Sequence, residues 1–158
     1  MTVKEFLDYL SQELNRSPRT VTSYAEDLYA FEAYFLDKDE GLTWETIDTD
    51  IIRDWMESMV DKGNSPSSVA RRLSAVKGFF KFALAREFIS SDPAHAIRSP
   101  KRSRPLPQFL KENEINDLLD KQAWGDDFKG LRDHLIIMMF YETGVRLAEL
   151  VGMDDEAV

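Results

Sequence analysis

Apolar residues recur at helical spacing along almost the whole chain, and the first 90 residues contain no alternating strand pattern. The first apolar stripe consists of Val3, Phe6, Leu7, Leu10 and Leu14. Thr2 and Glu5 stand at its start with the spacing of a capping box, in which two side chains satisfy free amides of the first helical turn. The pattern predicts an all-α protein whose first helix begins at about Val3.

Three further helices follow, and each has a start signal. Ser17-Pro18 and Ser65-Pro66 each place an N-cap serine before a first-turn proline, and Asp48 or Thr49 opens the helix between them. The second helix presents Val21, Tyr24, Leu28, Phe31 and Phe35 on one face, and the third presents Ile52, Trp55, Met56 and Met59 before it ends at Gly63. The fourth runs to about Phe88. We predict a four-helix domain of two packed helical hairpins over residues 1–88.

A weak internal repeat relates the second helix to the fourth. At an offset of 48 residues, the segment 17–21 aligns with 65–69, and Phe31 aligns with Phe79. Duplication of a helical hairpin explains this likeness, and so does cap chemistry that uses Ser-Pro twice. The sequence leaves both explanations open.

Residues 89–107 differ in composition from the helices before them. Four of the six prolines fall here, together with several serines, which predicts an extended linker and a domain boundary. Helical patterning resumes over 111–121 and 128–141, Gly144 is placed to cap the latter helix, and a short helix is expected from about Arg146. Three helices in about 50 residues are fewer than a domain usually has, so we expect 108–158 to be the start of a longer domain.

Composition excludes several classes of protein. The chain has 158 residues and no cysteine, and its two histidines, His95 and His134, lie far apart, so we expect neither a disulfide nor a metal site. The longest strongly apolar run, 135–140, is too short to span a bilayer, and the first residues do not resemble a signal peptide. We therefore expect a cytoplasmic protein without a membrane partner.

The formal net charge of -9 is distributed very unevenly along the chain. Residues 1–65 carry a net charge of -9 and residues 105–158 carry -7, whereas residues 66–104 carry +7. Taken whole, an acidic chain argues against binding nucleic acid. The concentrated basic segment reverses that argument and indicates where a polyanion would bind.

One face of the fourth helix concentrates residues suited to a phosphate backbone. It comprises Ser67, Arg71, Ser74, Gly78 and Lys81, flanked by Arg72 and Lys77. No acid occurs between Asp61 and Glu87, although solvated faces usually mix charges. The linker adds Arg98, Lys101, Arg102 and Arg104, and the second helix offers Arg19, Thr22 and Ser23. An ordinary solvated face and a solubilising connector remain the alternative interpretations.

The segment Thr143-Gly144-Val145-Arg146-Leu147-Ala148-Glu149-Leu150 places an arginine near a helix start. An arginine there is able to fork onto the oxygens of a phosphate, with Glu149 to orient it. A helical corner with a surface Arg–Glu pair is the commoner structure for such a segment.

This segment resembles the first catalytic-arginine motif of the tyrosine-type site-specific recombinases, the phage integrase and Xer group. SPSSVARRLSAVKGFFKFALAREFISSDPAHAIRSPK followed by LPQFLKENEINDLL resembles the transition into their catalytic domain, and SPRTVTSYAEDLYAFEAYF resembles their core-binding domain. The resemblance implies a SAM-like core-binding domain, the linker and the first helices of a catalytic domain. Double-stranded DNA and further recombinase subunits are the implied partners.

In that family a tyrosine attacks the scissile phosphate, and neither a metal nor another cofactor is needed. The resemblance makes Arg146 a scissile-phosphate arginine and Glu149 its support. None of the five tyrosines matches the nucleophile, and the other catalytic motifs have no counterpart. We therefore expect a truncated recombinase that binds DNA for recombination or integration without cleaving it.

Two alternatives belong to other functional classes. One is a helical DNA-binding regulator without recombinase ancestry. The other is a non-enzymatic adaptor that binds a protein through the acidic surface of residues 37–57, which hold 8 acids against Lys38 and Arg53.

Overall fold

A computed structural model describes residues 1–101, 106, 108–121 and 124–153. These residues form seven α-helices, one π-helical segment and no strand, which confirms the predicted all-α class. The chain divides into two compact units, Met1–Pro105 and Leu106–Val158. In the part described, no helix combines the length and apolarity needed to cross a membrane.

The first unit contains four α-helices: α1 (Val3–Asp8), α2 (Pro18–Lys38), α3 (Thr49–Asp61) and α4 (Pro66–Ala85). Each begins where its cap chemistry predicts, because side-chain oxygens accept the free amides of the first turn. Thr2 and Glu5 form the capping box of α1. Ser17 and Ser65 accept from the amides of Thr20 and Ser68, and Asp48 rather than Thr49 caps α3.

A π-helical segment, Tyr9–Glu13, continues α1. The chain then turns through Asn15, whose φ of 47° is one that asparagine tolerates better than most residues. Leu14 caps this segment and is 42% exposed, so it leaves the apolar stripe that the sequence predicts. The turn brings Arg16 beside α2.

Helix α4 is the centre of the first unit and packs against α1, α2 and α3. Nine of its residues are buried: Val69, Ala70, Leu73, Ala75, Val76, Phe79, Phe80, Phe82 and Ala83. The surrounding core is aromatic, with the ring centroids of Trp44 and Phe79 only 4.3 Å apart. Because the other helices cover so much of α4, a narrow strip of it faces solvent.

Residues 89–101 differ from the extended linker that the sequence predicts, because part of them packs on the first unit. The side chains of Ala94 and Ile97 are buried in its core. Thr49 Oγ1 donates to the carbonyl of Pro93 at 2.9 Å, and Lys77 Nζ donates to the carbonyl of Ile97 at 2.5 Å. Burying two apolar side chains and bonding two carbonyls fixes a segment that proline and serine content alone would leave open.

The second unit contains α5 (Glu112–Lys121), α6 (Phe128–Thr143) and α7 (Leu147–Val151). Asp127 caps α6 by accepting from the amide of Gly130, and Gly144 ends it at a left-handed φ of 65°. Trp124 stacks on His134 with ring centroids 5.2 Å apart. No described residue of α6 or α7 is buried.

Candidate nucleic-acid interface

The solvent-facing strip of α4 has the composition that the sequence predicts for its polar face. Ser67, Arg71, Ser74 and Lys81 are exposed, and Gly78 is half-buried between Ser74 and Lys81. No carboxylate belongs to α4, because the chain has no acid from Lys62 to Arg86. The strip is therefore a continuous row of cations and small residues.

The N-terminal half of α2 borders this strip and adds to it. Arg71 Nη1 donates to Ser23 Oγ at 2.7 Å, which joins the two helices. A cleft of about 460 Å³ brings Arg16, Thr20 and Tyr24 together with Gly78 and Lys81. We call the following residues the α2–α4 surface: Arg16, Arg19, Thr20, Ser23, Ser67, Arg71, Ser74, Gly78 and Lys81.

The small size of Gly78 matters to this surface. A Cβ atom at Gly78 would lie 3.4 Å from both Phe6 and Tyr24, at the limit of ordinary contact. A longer side chain would fill the cleft between Thr20 and Lys81. Glycine therefore keeps this part of α4 open to a partner that approaches closely.

Beneath the surface lies Asp27, which is 3% exposed and is the one buried charged side chain among the described residues. Its Oδ2 and Oδ1 accept from Arg71 Nη1 at 2.5 Å and Nη2 at 2.9 Å, and Arg72 Nε lies 3.8 Å from Oδ1. Burial raises the pKa of the Asp27 carboxyl, and the hydrogen bond from Arg71 opposes that rise. The pair fastens α2 to α4 just below the strip.

Besides Arg71, two more of the cations predicted on the fourth helix have structural contacts within the first unit. Arg72 is half-buried and lies between Asp27 and Met59, whose sulfur is 3.6 Å from Arg72 Nη1. Lys77 is half-buried and is bonded to the Ile97 carbonyl. The helical wheel places both residues at the edge of the polar face, where neighbouring segments cover them.

Other predicted contact residues keep their polar groups at the surface. Arg19 and Thr22 on α2 are exposed, and so are Arg98 and Lys101. Ser74 donates to its own helix at the carbonyl of Ala70, which leaves its oxygen free to accept. Arg102 and Arg104 lie outside the described residues.

In the second unit, Arg146 and Glu149 form the pair that the sequence suggests. The Arg146 amide donates to Glu149 Oε2 at 2.8 Å, and Arg146 Nη1 donates to Glu149 Oε1 at 2.9 Å. These hydrogen bonds lower the pKa of Glu149, which keeps it ionised. The arginine side chain remains 83% exposed, so most of its guanidinium is available to a ligand.

No metal-binding cluster accompanies these groups. Across the described ranges, His, Asp and Glu side chains do not converge in threes as metal ligands would.

Residues 3–87 match the family described as phage integrase, N-terminal SAM-like domain. This match covers more than half of the chain and coincides with the four-helix unit. The chain therefore belongs to the tyrosine-type site-specific recombinases, of which it represents the N-terminal region. Family membership excludes a regulator without recombinase ancestry.

Curated relatives carry the same similarity almost to the end of the chain. Tyrosine recombinase XerC of Natranaerobius thermophilus is 39% identical over 150 residues, which are 95% of this chain and 50% of the relative. XerC of Mycobacterium sp. (strain KMS) is 35% identical and XerD of Brucella abortus biovar 1 is 33% identical, each over 97% of this chain and 52% of the relative. The chain thus spans about half the length of the curated relatives it matches.

Sequence reasoning missed three residues of the site, namely Arg16, Thr20 and Asp27. Arg16 joins the surface through the turn at Asn15, which periodicity does not predict, and Thr20 joins it from the first turn of α2. The sequence does indicate a special role for Asp27, because this acid lies between Tyr24 and Phe31 on the apolar side of α2. A carboxylate in that position requires a buried partner.

Proposed function

We propose that this chain binds duplex DNA through the α2–α4 surface, as the DNA-holding part of a recombinase that exchanges strands at specific sites. The observation that carries the proposal is the solvent-facing strip of α4. It holds cations, hydroxyls and a glycine without a carboxylate, on a unit that is otherwise rich in acids. Phosphate contacts require basic side chains, and small residues let the backbone approach.

Within this surface we assign phosphate contacts first to Arg16, Arg19 and Lys81. All three are exposed and make no ion pair among the described residues. We propose exposed Arg98 and Lys101 as further phosphate contacts. Arg102 and Arg104, predicted from the sequence alone, belong to the same proposal. The hydroxyl of Ser67 adds a hydrogen bond to a phosphate oxygen. Ser74, whose hydroxyl donates to the Ala70 carbonyl, contributes a small side chain that lets the DNA backbone approach.

In the second unit we assign Arg146 to the scissile phosphate, with Glu149 as its support. The exposed guanidinium is held at one edge by Glu149 and has donors left for phosphate oxygens. Further recombinase subunits would bind the same DNA. We propose that the 158-residue chain alone forms no covalent link to DNA, because none of its five tyrosines matches the nucleophile of the family.

Fluorescence anisotropy with a labelled duplex of about 30 base pairs tests the proposal across a salt series. If about 6 phosphates are neutralised, affinity falls by about three decades between about 50 and 200 mM salt. Arg19→Ala and Lys81→Ala should each weaken binding and make the slope of log K against log salt shallower by about 0.9.

Arg53→Ala is the matched control, because Arg53 is an exposed cation on α3 that pairs with Asp50 at 2.8 Å. It should leave the salt slope unchanged. No binding at low salt, or an affinity that does not change with salt concentration, would contradict the proposal. Equal effects of the control and of Lys81→Ala would show that only net charge matters.

A further inference from the structure

We infer that Asp27 is a positioning residue for DNA binding, and that its buried carboxylate holds Arg71 ready to take a phosphate at the surface. This inference rests on the proposed function and deepens it. Asp27 itself lies too deep to touch DNA, being 3% exposed, so it acts through Arg71.

The hydrogen bonds of Arg71 leave part of its donor set open. Nη1 donates to Ser23 Oγ and Asp27 Oδ2, and Nη2 donates to Asp27 Oδ1. An arginine has five N–H donors, so one N–H on Nη2 and the N–H on Nε remain. The side chain is 51% exposed, so a phosphate is able to reach it.

The position of the carboxylate also fixes the orientation of the guanidinium. A bidentate pair holds the planar fork in one geometry, and Ser23 supports it from α2. A free arginine must lose its rotamer freedom when it binds a phosphate, and an arginine held in advance does not. The Ser23 oxygen that accepts this hydrogen bond belongs to the α2–α4 surface.

A buried ion pair is weak evidence for a purely stabilising role, because desolvation offsets much of the attraction. The apolar side of α2 offers a well-packed core in which an apolar residue at position 27 would be the ordinary choice. The carboxylate at position 27 is explained if Arg71 must be held at the surface in one orientation.

Asp27→Asn separates this inference from simple electrostatics. Removing an acid from beneath a cationic surface should strengthen DNA binding if only charge matters. If Asp27 positions Arg71, the same change should weaken binding about fivefold, the cost of ordering one long side chain. It should leave the salt slope unchanged, because Arg71 still reaches its phosphate and only the cost of ordering its side chain has risen.

Glu26→Gln is the matched control. It removes the same charge one residue earlier on α2, from an exposed side chain without an ion pair among the described residues. It should bind DNA as tightly as the unmodified chain, or slightly more tightly.

A second pair of variants excludes loss of folding as the cause. On an Arg71→Met background, Asp27→Asn should have no further effect on affinity, because Asp27 then has no guanidinium of the α2–α4 surface to hold. A merely structural Asp27 would weaken binding on both backgrounds.

The inference is overturned if Asp27→Asn binds DNA as tightly as the unmodified chain, or more tightly. It is also overturned if the loss is the same on the Arg71→Met background. An unmodified chain that fails to bind duplex at low salt would instead refute the proposed function, and the inference with it.

Discussion

The buried pair beneath the α2–α4 surface predicts an unequal cost for removing its two members. Asp27→Asn leaves Arg71, whose side chain is 51% exposed and is able to turn toward water. Arg71→Met leaves a carboxylate whose side chain is 4% exposed, with Arg72 Nε at 3.8 Å as the remaining cation. An uncompensated buried charge costs far more than an exposed one.

The magnitudes follow from burial. Breaking a fully buried pair costs about 3–5 kcal/mol, and exposed pairs contribute about 0–1 kcal/mol. Because only the aspartate is buried, we expect Arg71→Met to lower the unfolding free energy by about 2 kcal/mol. Asp27→Asn should lower it by about 1 kcal/mol, because an amide nitrogen in place of one carboxylate oxygen accepts no hydrogen bond from Arg71. The double variant should cost about 1.5 kcal/mol less than the sum of the two, since each single change removes the same interaction.

Urea unfolding followed by tryptophan emission measures these values on the full chain. Trp44 and Trp55 are buried in the first unit, and Trp124 belongs to the second. A Trp124→Phe background therefore makes the emission report the first unit alone. An equal cost for Asp27→Asn and Arg71→Met, or additive effects of the two changes, would show that the burial of Asp27 does not set the cost.

Two further predictions concern the stability of the first unit. Burial raises the pKa of Asp27 above its ordinary value of 3.8, so the folded chain keeps this proton to a higher pH than the unfolded chain does. The stability contributed by this proton is fully present below pH 3.8 and is lost as the pH rises through the folded pKa. Over that range the urea midpoint of Asp27→Asn should therefore rise relative to the midpoint of the unmodified chain. A relative rise of that midpoint as the pH falls would contradict the direction of the pKa shift. Ser65→Ala should lower the unfolding free energy by about 1 kcal/mol, because the Ser65 hydroxyl accepts from the Ser68 amide at 3.2 Å at the start of α4. Ser67→Ala is the control and should change the unfolding free energy by no more than about 0.5 kcal/mol. Equal losses of unfolding free energy in the two variants would show that the Ser65 cap contributes nothing to stability.

Local signals predicted most of the helix boundaries. Thr2, Ser17, Ser65 and Gly144 act within one helical turn of their own position, so the sequence alone contains the partners that they need. The π-helical segment Tyr9–Glu13 has no such signal, and the sequence predicts an ordinary helix there.

Contacts between distant segments account for what the sequence did not predict. Arg71 and Asp27 are 44 residues apart, and Lys77 and Ile97 are 20 apart. A helical wheel places Arg71 on the polar face of α4 and Lys77 beside it. It cannot show which neighbouring segment accepts their hydrogen bonds. The wheel therefore predicts the face of α4, and tertiary packing decides which of its cations remain free.

Residues 89–101 illustrate the same limit for domain boundaries. Proline and serine dominate the composition and indicate a connector, yet Ala94 and Ile97 are the residues that determine where the segment lies. Two apolar side chains are a weak signal beside four prolines, but each gains stability when it is buried. Composition predicts that the chain is irregular here, and only packing shows that it is fixed to the first unit.

The net charge of this chain is a poor guide to what its surface binds, because ions screen each charge within a short distance. The Debye length is about 8 Å at physiological ionic strength. A phosphate at the α2–α4 surface therefore responds most to the cations of that surface, Arg16, Arg19, Arg71 and Lys81. The acids of residues 37–57 are mostly exposed on the end of α2, the loop after it and α3. On a phosphate that approached them directly they would act by repulsion. An acidic chain with one acid-free strip is thus consistent with a protein that accepts DNA on that strip and repels it elsewhere.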